Sequence, residues 1–223
     1  MKNIIKILQI EQLTPNIKKF QTNKPKNYNF ISGQAAQIAI NKSYYKEQFR
    51  PFTFTSLNED NYLEFIIKEY PDHNGVTKAI HELNIGDELI ITEPVGTIKY
   101  KGEGIFLAGG VGITPFISIF RDLERKQKLN GNTLIFSNKT KNDIIIEDEL
   151  KKMFSQKHLI LTLSEEKENG YAYGRIDKSI LTKYIKDVNQ YFYACGPLGF
   201  EDTMIEDLTS LGADRNKIII EEW

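Results

Sequence analysis

Cysteine is nearly missing from this chain of 223 residues, which holds one, Cys195. A single thiol excludes an intrachain disulfide and any zinc or iron–sulfur centre built from the cysteines of one chain. The three histidines, His73, His81 and His158, lack metal-ligand spacing. No metal site is expected, and any redox chemistry must come from an organic cofactor. Long apolar runs are missing as well: none approaches the ~20 residues of a membrane-spanning helix. Met1-Lys2-Asn3 leads into a short alternating strand rather than a signal-peptide core, so a cytoplasmic protein is expected. Excess charge is also lacking, since 29 Lys and Arg against 30 Asp and Glu leave a net charge of -1. With a pI near 6.3 the chain lacks the basic footprint of a nucleic-acid-binding domain.

A composition of 40% hydrophobic and 26% charged residues describes a globule able to bury a core. Charge is unevenly spread. Residues 1–50 hold nine Lys/Arg and two Asp/Glu, whereas residues 51–100 hold three and nine. A basic face near the N-terminus would steer an acidic partner, although solvated lysine-rich loops give the same counts. Residues 1–101 alternate short β-like runs (4–10, 17–22, 36–40, 52–56, 62–68, 88–92) with Asn, Gly and Pro turn signals, and only 77–83 reads as helix. That pattern predicts a small antiparallel β-barrel. From residue 102 the rhythm changes to strands at 105–108, 133–137, 159–163, 191–195 and 217–221, separated by helices at 115–129, 147–154, 177–185 and 199–211. Five strands alternating with helices predict a doubly wound parallel five-stranded sheet, whose ligands sit at the carboxyl ends of its strands. Two domains are expected, 1–101 and 102–223.

Residues 104–115 read GIFLAGGVGITP, an apolar strand running into glycines. Gly109, Gly110 and Gly112 permit φ > 0 and close backbone approach. Thr114 suits a helix N-cap and Pro115 the first helical position. The N–H groups and dipole of such a helix start attract a pyrophosphate. Pro115 stands where G-x-G-x-x-G has its third glycine, and a tight turn binding nothing has the same composition. Arg50-Pro51-Phe52-Thr53 sets a cation before an alternating strand. An arginine fork holds a diphosphate, Phe52 can lie on a flat ring and the Thr53 hydroxyl can bond a ring heteroatom, while a strand with two core phenylalanines reads the same. Gly75-Val76-Thr77 opens the barrel's helix and offers further N–H groups to phosphate. Cys195-Gly196-Pro197 follows the fourth strand of the second half, where an inert buried thiol is the simplest reading. The chain ends Glu221-Glu222-Trp223, with Trp223 either a docked tail or a stacking ring.

In this order the motifs resemble the ferredoxin–NADP reductase superfamily, FAD-dependent NAD(P)H reductases in which a flavin-binding barrel precedes a pyridine-nucleotide domain. The resemblance covers essentially the whole chain. It implies that Arg50 holds the FAD pyrophosphate with Pro51 beside it, that Phe52 stacks near the isoalloxazine, that the Thr53 hydroxyl approaches flavin N5, and that Gly75, Val76 and Thr77 bind phosphate. Phe52 replaces the family's tyrosine and loses its hydroxyl. Gly110, Gly112, Thr114 and Pro115 match the nucleotide motif, with Thr114 reaching toward the nicotinamide, and Cys195, Gly196 and Pro197 match the motif shaping the hydride-transfer site. Glu221 and Trp223 match the glutamate and the C-terminal aromatic that covers the flavin. Ser137 and Lys139 lie where the adenosine ribose is expected. Plant-type members carry an arginine after a serine in the third-strand turn, whereas Glu165 and Glu166 follow Ser164 here, which favours NADH over NADPH. The implied reaction is hydride transfer from NAD(P)H to FAD and single-electron delivery to an acidic carrier such as a ferredoxin or flavodoxin. Small acceptors (free flavin, a quinone, a ferric chelate) or a subunit role in a larger complex are the alternatives.

Overall fold

A computed structural model describes residues 2–70 and 75–221. Its N-terminal half holds six antiparallel strands, β1 (Asn3–Thr14), β2 (Ile17–Asn23), β3 (Ala35–Ile40), β4 (Arg50–Thr53), β5 (Tyr62–Lys68) and β6 (Glu88–Val95), in the order β4-β3-β6-β1-β2-β5. An antiparallel bridge between Phe54, just past β4, and Phe65 of β5 joins the two edges and closes the barrel. Strand alternation sends Ile5, Ile7, Phe20, Phe65, Leu89 and Ile91 into one core. The ring of Phe54 stacks on Phe30 at 4.1 Å in that core. The short helix α1 (Val76–His81) adds Val76, Ala79 and Ile80 to it.

The C-terminal half is a parallel sheet of β7 (Gly104–Gly109), β8 (Thr133–Asn138), β9 (Leu159–Leu163), β10 (Ala172–Tyr173), β11 (Tyr191–Cys195) and β12 (Ile218–Ile219). The strand order is β10-β9-β8-β7-β11-β12. Four helices cover it: α2 (Thr114–Arg125), α3 (Glu147–Met153), α4 (Lys178–Tyr184) and α5 (Phe200–Ser210). Alternate residues of β7 feed opposite layers. Phe106 packs with Phe116 and Phe120 of α2 and Leu150 of α3 on one face, and Ile105 and Leu107 pack with Leu181 of α4 and Met204 and Leu208 of α5 on the other. The sheet is therefore doubly wound. Its chain order reverses beside β7, which lies between β8 and β11, and ligands of such sheets bind at that switch point.

The sheet has one more strand than the five legible in the sequence. β10 is two residues long and lies between Gly170 and Gly174, both at positive φ (89° and 116°). It is too short to show a period of its own. The last strand is shorter than expected, 218–219 instead of 217–221, because the chain turns onto the barrel: the Thr97 hydroxyl donates to the Ile220 carbonyl and the Thr97 N–H to Glu221 Oε1, both at 3.1 Å.

The strongest tie between the halves is Arg121 on α2. Its Nη1 donates to the Thr55 carbonyl at 2.8 Å and to Glu64 Oε1 at 2.7 Å, while Nε and Nη2 grip the two oxygens of Glu149 at 2.6 and 2.9 Å. Glu64, on β5, is only 3% exposed, and it also accepts from the Thr55 hydroxyl and the Gln21 amide. Burial pushes its carboxyl up, but the Arg121 charge and these hydrogen bonds outweigh burial and hold it below the ordinary range. The Ser118 hydroxyl of the same helix accepts the Gly33 N–H of the barrel at 3.0 Å. Arg121→Met strands Glu64 without its counter-charge, and denaturant titration should register a loss of about 3–5 kcal/mol; a loss below about 1 kcal/mol, the size of an exposed pair, would contradict this junction. Because the folded pKa of Glu64 is depressed, its contribution is complete above the unfolded value near ~4.3 and is lost as pH falls through the folded one. Glu64→Gln should accordingly flatten the acid limb of a Tm–pH profile.

Candidate functional site

β7 ends at Gly109, and Gly110–Ile113 form a single 3-10 turn leading into α2. Only Gly110 of the three glycines takes the left-handed conformation, at φ 52°. Gly109 and Gly112 are needed for closeness instead. A Cβ on Gly112 would lie 2.3 Å from the Cys195 carbonyl oxygen, and one on Gly109 would lie 2.9 Å from the Pro197 ring. The turn after β7 thus presses directly on the turn after β11. Thr114 does not cap α2 as expected: it is the first helical residue, and its hydroxyl donates to the Val111 carbonyl at 2.9 Å. The 3-10 turn already holds Ile113 at φ -70° and ψ -19°, so no extended residue remains to serve as a capping group. Pro115 is consequently the second helical residue, still in the turn where a missing N–H is harmless.

These turns open onto a cleft of about 620 Å³ at the carboxyl ends of β7, β8, β9 and β11, within the usual range for ligand sites. Gly110, Ser137, Lys139, Gly196 and Pro197 line it, so residues singled out on separate segments meet in one place. Gly112, Thr114, Pro115 and Cys195 are not among the lining residues. The barrel contributes Lys68 and Tyr70 at the end of β5. Sequence reasoning missed those two, together with Asn138 and Arg175. Neither carried a sequence signal: Arg175 follows β10, a strand too short to read, and the Nδ2 of Asn138 is buried without a hydrogen-bond partner among the described residues. Lys139 pairs with Glu165 at 3.0 Å, the Lys141 N–H donates to Glu166 at 2.8 Å and Lys141 Nζ pairs with Glu168 at 3.2 Å. The loop after β8 therefore answers the carboxylates after β9 one by one.

At the end of β11, burial pushes the Cys195 thiol up to about 12, with the charges of Glu201 and Glu221 adding to it. Glu221 lies at the junction of the halves beside Gly96, whose φ of 111° lets the carboxylate approach. Burial raises its carboxyl more than the hydrogen bonds from Thr97 and Ile98 lower it. Trp223 lies outside the described residues, as does His73. The other histidines are structural. Buried His81 sits 2.8 Å from the Ile67 carbonyl, and His158 Nδ1 lies 2.8 Å from the Thr133 hydroxyl.

In the barrel, β4 is an edge strand paired with β3, Phe52 opposite Ala36 and Arg50 opposite Ile38. Arg50 is exposed and spends one donor on the neighbouring Phe49 carbonyl at 2.8 Å; it forms no ion pair among the described residues. Pro51, Phe52 and Thr53 are half-buried, and Phe52 rests on the barrel core. The helix α1 packs on β3, next to β4, and no side chain caps its first turn among the described residues. Gly75 precedes it in extended backbone with open space where a Cβ would be, buried Val76 anchors it, and Thr77 is half-buried. A guanidinium without an ion pair and an uncapped helix start are each chemically suited to a phosphate group. Three of the nine cations in residues 1–50 are ion-paired, Lys2 with Glu47, Lys19 with Glu11 and Lys42 with Asp87, and Lys18 and Lys24 donate to the carbonyls of His81 and Asn58.

The two kinds of glycine should respond differently to alanine. Gly110→Ala imposes left-handed strain of about 1–2 kcal/mol with nothing to collide with. Gly112→Ala drives a methyl into the Cys195 carbonyl and should abolish nucleotide binding measured by calorimetry, with a larger fall in Tm than at Gly110. Equal effects at both positions would contradict the close-approach assignment.

Residues 5–100 match the family model described as oxidoreductase FAD-binding domain, and residues 106–206 match the one described as oxidoreductase NAD-binding domain. The plasma membrane-associated coenzyme Q6 reductase of Saccharomyces cerevisiae is 29% identical over 191 residues, covering 80% of this chain and 60% of that protein. NADH-cytochrome b5 reductase 2 of Aspergillus fumigatus is 30% identical over 222 residues, covering 87% of this chain and 66% of that protein. The chain thus spans 60% and 66% of the length of these two curated relatives. The crystal structure of a ferredoxin NADP+ reductase from Neisseria gonorrhoeae with bound FAD and NADP has the same fold, with a TM-score of 0.86 at 19% identity over 98% of this chain and 97% of that one. Both oxidoreductase domain models match in order and the two-sheet architecture is shared, so the chain belongs to the ferredoxin–NADP reductase superfamily.

Proposed function

We propose that this protein is an FAD-dependent NADH reductase that passes electrons to a separate carrier, with residues 1–101 holding the flavin and 102–223 the nicotinamide nucleotide. The observation that carries this reading is the cleft at the switch point of the parallel sheet, where the glycine turn, the Cys195 turn and the end of β5 converge. The chemistry supplied by bound FAD is acceptance of a hydride and release of electrons one at a time. The protein's part is to bind and to orient. Arg50 clamps the diphosphate of FAD, and the first-turn N–H groups at Gly75, Val76 and Thr77 meet its other side. Pro51 stiffens the strand on which Phe52 and Thr53 face the ring system. On the nucleotide side, the Gly110 turn receives the diphosphate, and Ser137, Lys139 and Arg175 surround the adenosine ribose. The Cys195-Gly196-Pro197 wall, with Thr114 and Glu221 behind it, excludes water from the reacting face.

NADH is the favoured nucleotide because a 2′-phosphate would meet Glu165 and would have to break the Lys139–Glu165 pair. The kcat/KM for NADH should exceed that for NADPH by roughly tenfold or more, worth ~1.4 kcal/mol, and Glu165→Ser should narrow the gap by freeing Lys139. A reversed preference in the unmodified protein overturns the assignment. For the acceptor, the names of the relatives support a cytochrome b5-like haem protein ahead of a ferredoxin or flavodoxin, and the yeast relative supports a quinone as a second reading. NADH oxidation with ferricyanide, then with cytochrome b5, ferredoxin and a soluble quinone, ranks them; dye turnover without cytochrome turnover rejects the haem acceptor. Boiling should release FAD rather than FMN, and Arg50→Ala should strip most of the flavin because the diphosphate loses its charge-assisted partner. Undiminished flavin in that variant rejects the role of Arg50.

A further inference from the structure

Behind the Cys195 turn, Glu201 in the first turn of α5 accepts the Gly196 N–H on Oε1 at 3.0 Å. Backbone geometry makes this contact. Gly199 takes φ 79° and folds α5 back over the turn the chain has just left. The Phe200 ring then lies so near Gly196 that a Cβ there would be 2.5 Å from it. The turn is held at the back by Phe200 and one carboxylate, and at the front it presses on Gly109 and Gly112. Without Glu201 the Gly196 N–H loses this acceptor, and the loop, whose Leu198 is fully exposed, keeps the Phe200 N–H bond to the Pro197 carbonyl at 2.9 Å and the packing of its neighbours.

We propose that Glu201 is a positioning residue of the nucleotide site: its carboxylate fixes the Cys195-Gly196-Pro197 turn against the glycine turn and sets a negative charge beside the Cys195 thiol. Its link to turnover rests on the assignment of this cleft to NADH. Two carboxylates act on the thiol, Glu201 from the helix that follows the turn and Glu221 from the chain beyond β12, and burial acts in the same sense. Removing either charge favours the thiolate. Asp202, the exposed neighbour in the same helical turn, carries equal charge and makes no hydrogen bond to the Cys195 turn among the described residues, which makes it the control.

The experiment compares Glu201→Gln, Glu201→Ala and Asp202→Asn in the flavin-loaded protein. Without nucleotide and at fixed pH, Glu201→Gln should raise the rate of Cys195 alkylation by iodoacetamide about threefold or more, since the thiolate reacts, and Asp202→Asn should leave it unchanged. Gly196 amide hydrogen exchange should be faster in Glu201→Ala and close to the unmodified protein in Glu201→Gln, whose amide oxygen still accepts. In turnover, Glu201→Ala should lower kcat/KM for NADH by roughly tenfold, the scale of a misplaced reacting group, and Glu201→Gln should recover most of it. Exchange or turnover in Glu201→Gln as damaged as in Glu201→Ala, or an alanine variant indistinguishable from the unmodified protein, overturns the positioning role. An unchanged alkylation rate in Glu201→Gln, or an equal rise in Asp202→Asn, overturns the electrostatic part. Absence of NADH turnover in every protein rejects the nucleotide assignment alone, because alkylation and amide exchange still decide the role of Glu201.

Discussion

The arrangement depends on one half-buried cation, Arg121. Arg121 stands two turns into the helix that begins at the glycine turn, about 10 Å along its axis at the usual rise, and it grips both the barrel and α3 of its own half. Through the Thr55 carbonyl it touches the chain two residues beyond Thr53, and through Glu64 it reaches the strand whose end lines the cleft. A buried ion cluster of this kind adds little net stability compared with an apolar contact of the same shape. Misplacing it is expensive, because each charge would be left dry and unpaired. It therefore specifies how the halves sit more than how strongly they adhere. Gly33 with Ser118 and Thr97 with Glu221 repeat the tie at two further points, and the cleft exists because the halves are held at that separation.

Within the cleft, contact is made by backbone more than by side chains. Gly109, Gly112 and Gly196 are positions where a methyl group would strike a neighbouring turn or ring. The result is a thin wall at the ends of β7 and β11, which allows a ligand to approach the main chain closely. Charge is handled locally as well: Lys139 pairs with Glu165 and Lys141 with Glu168 at the ends of β8 and β9, while two carboxylates and burial keep the thiol at the end of β11 protonated. A site of this kind positions and shields. Such a division suits chemistry carried by cofactors.

Much of this was legible in the residues. Short β-like runs and turn residues located the barrel, and apolar runs separated by helices located the parallel sheet, because burial on one face or on both is written in local composition. The glycine turn, the Arg50 strand and the Cys195 turn were recognisable because backbone freedom and charge are written in residue type. Thr114 misled, since whether it caps α2 depends on the turn before it, and β10 was hidden by its length. Arg121 looked like any helical surface cation, and Glu201 like any acidic residue in a first helical turn.

By itself, then, the sequence determined the elements other than β10, their order and the motifs that mark two cofactor-binding units, all of which rest on interactions between near neighbours in the chain. Only the tertiary structure decided what faces what. Arg121 and Glu64 are 57 residues apart, Gly33 and Ser118 are 85 apart, and Thr97 and Glu221 are 124 apart. Nothing in the periodicity of any one segment selects those partners. They are chosen when burial leaves each polar group a single place to be satisfied.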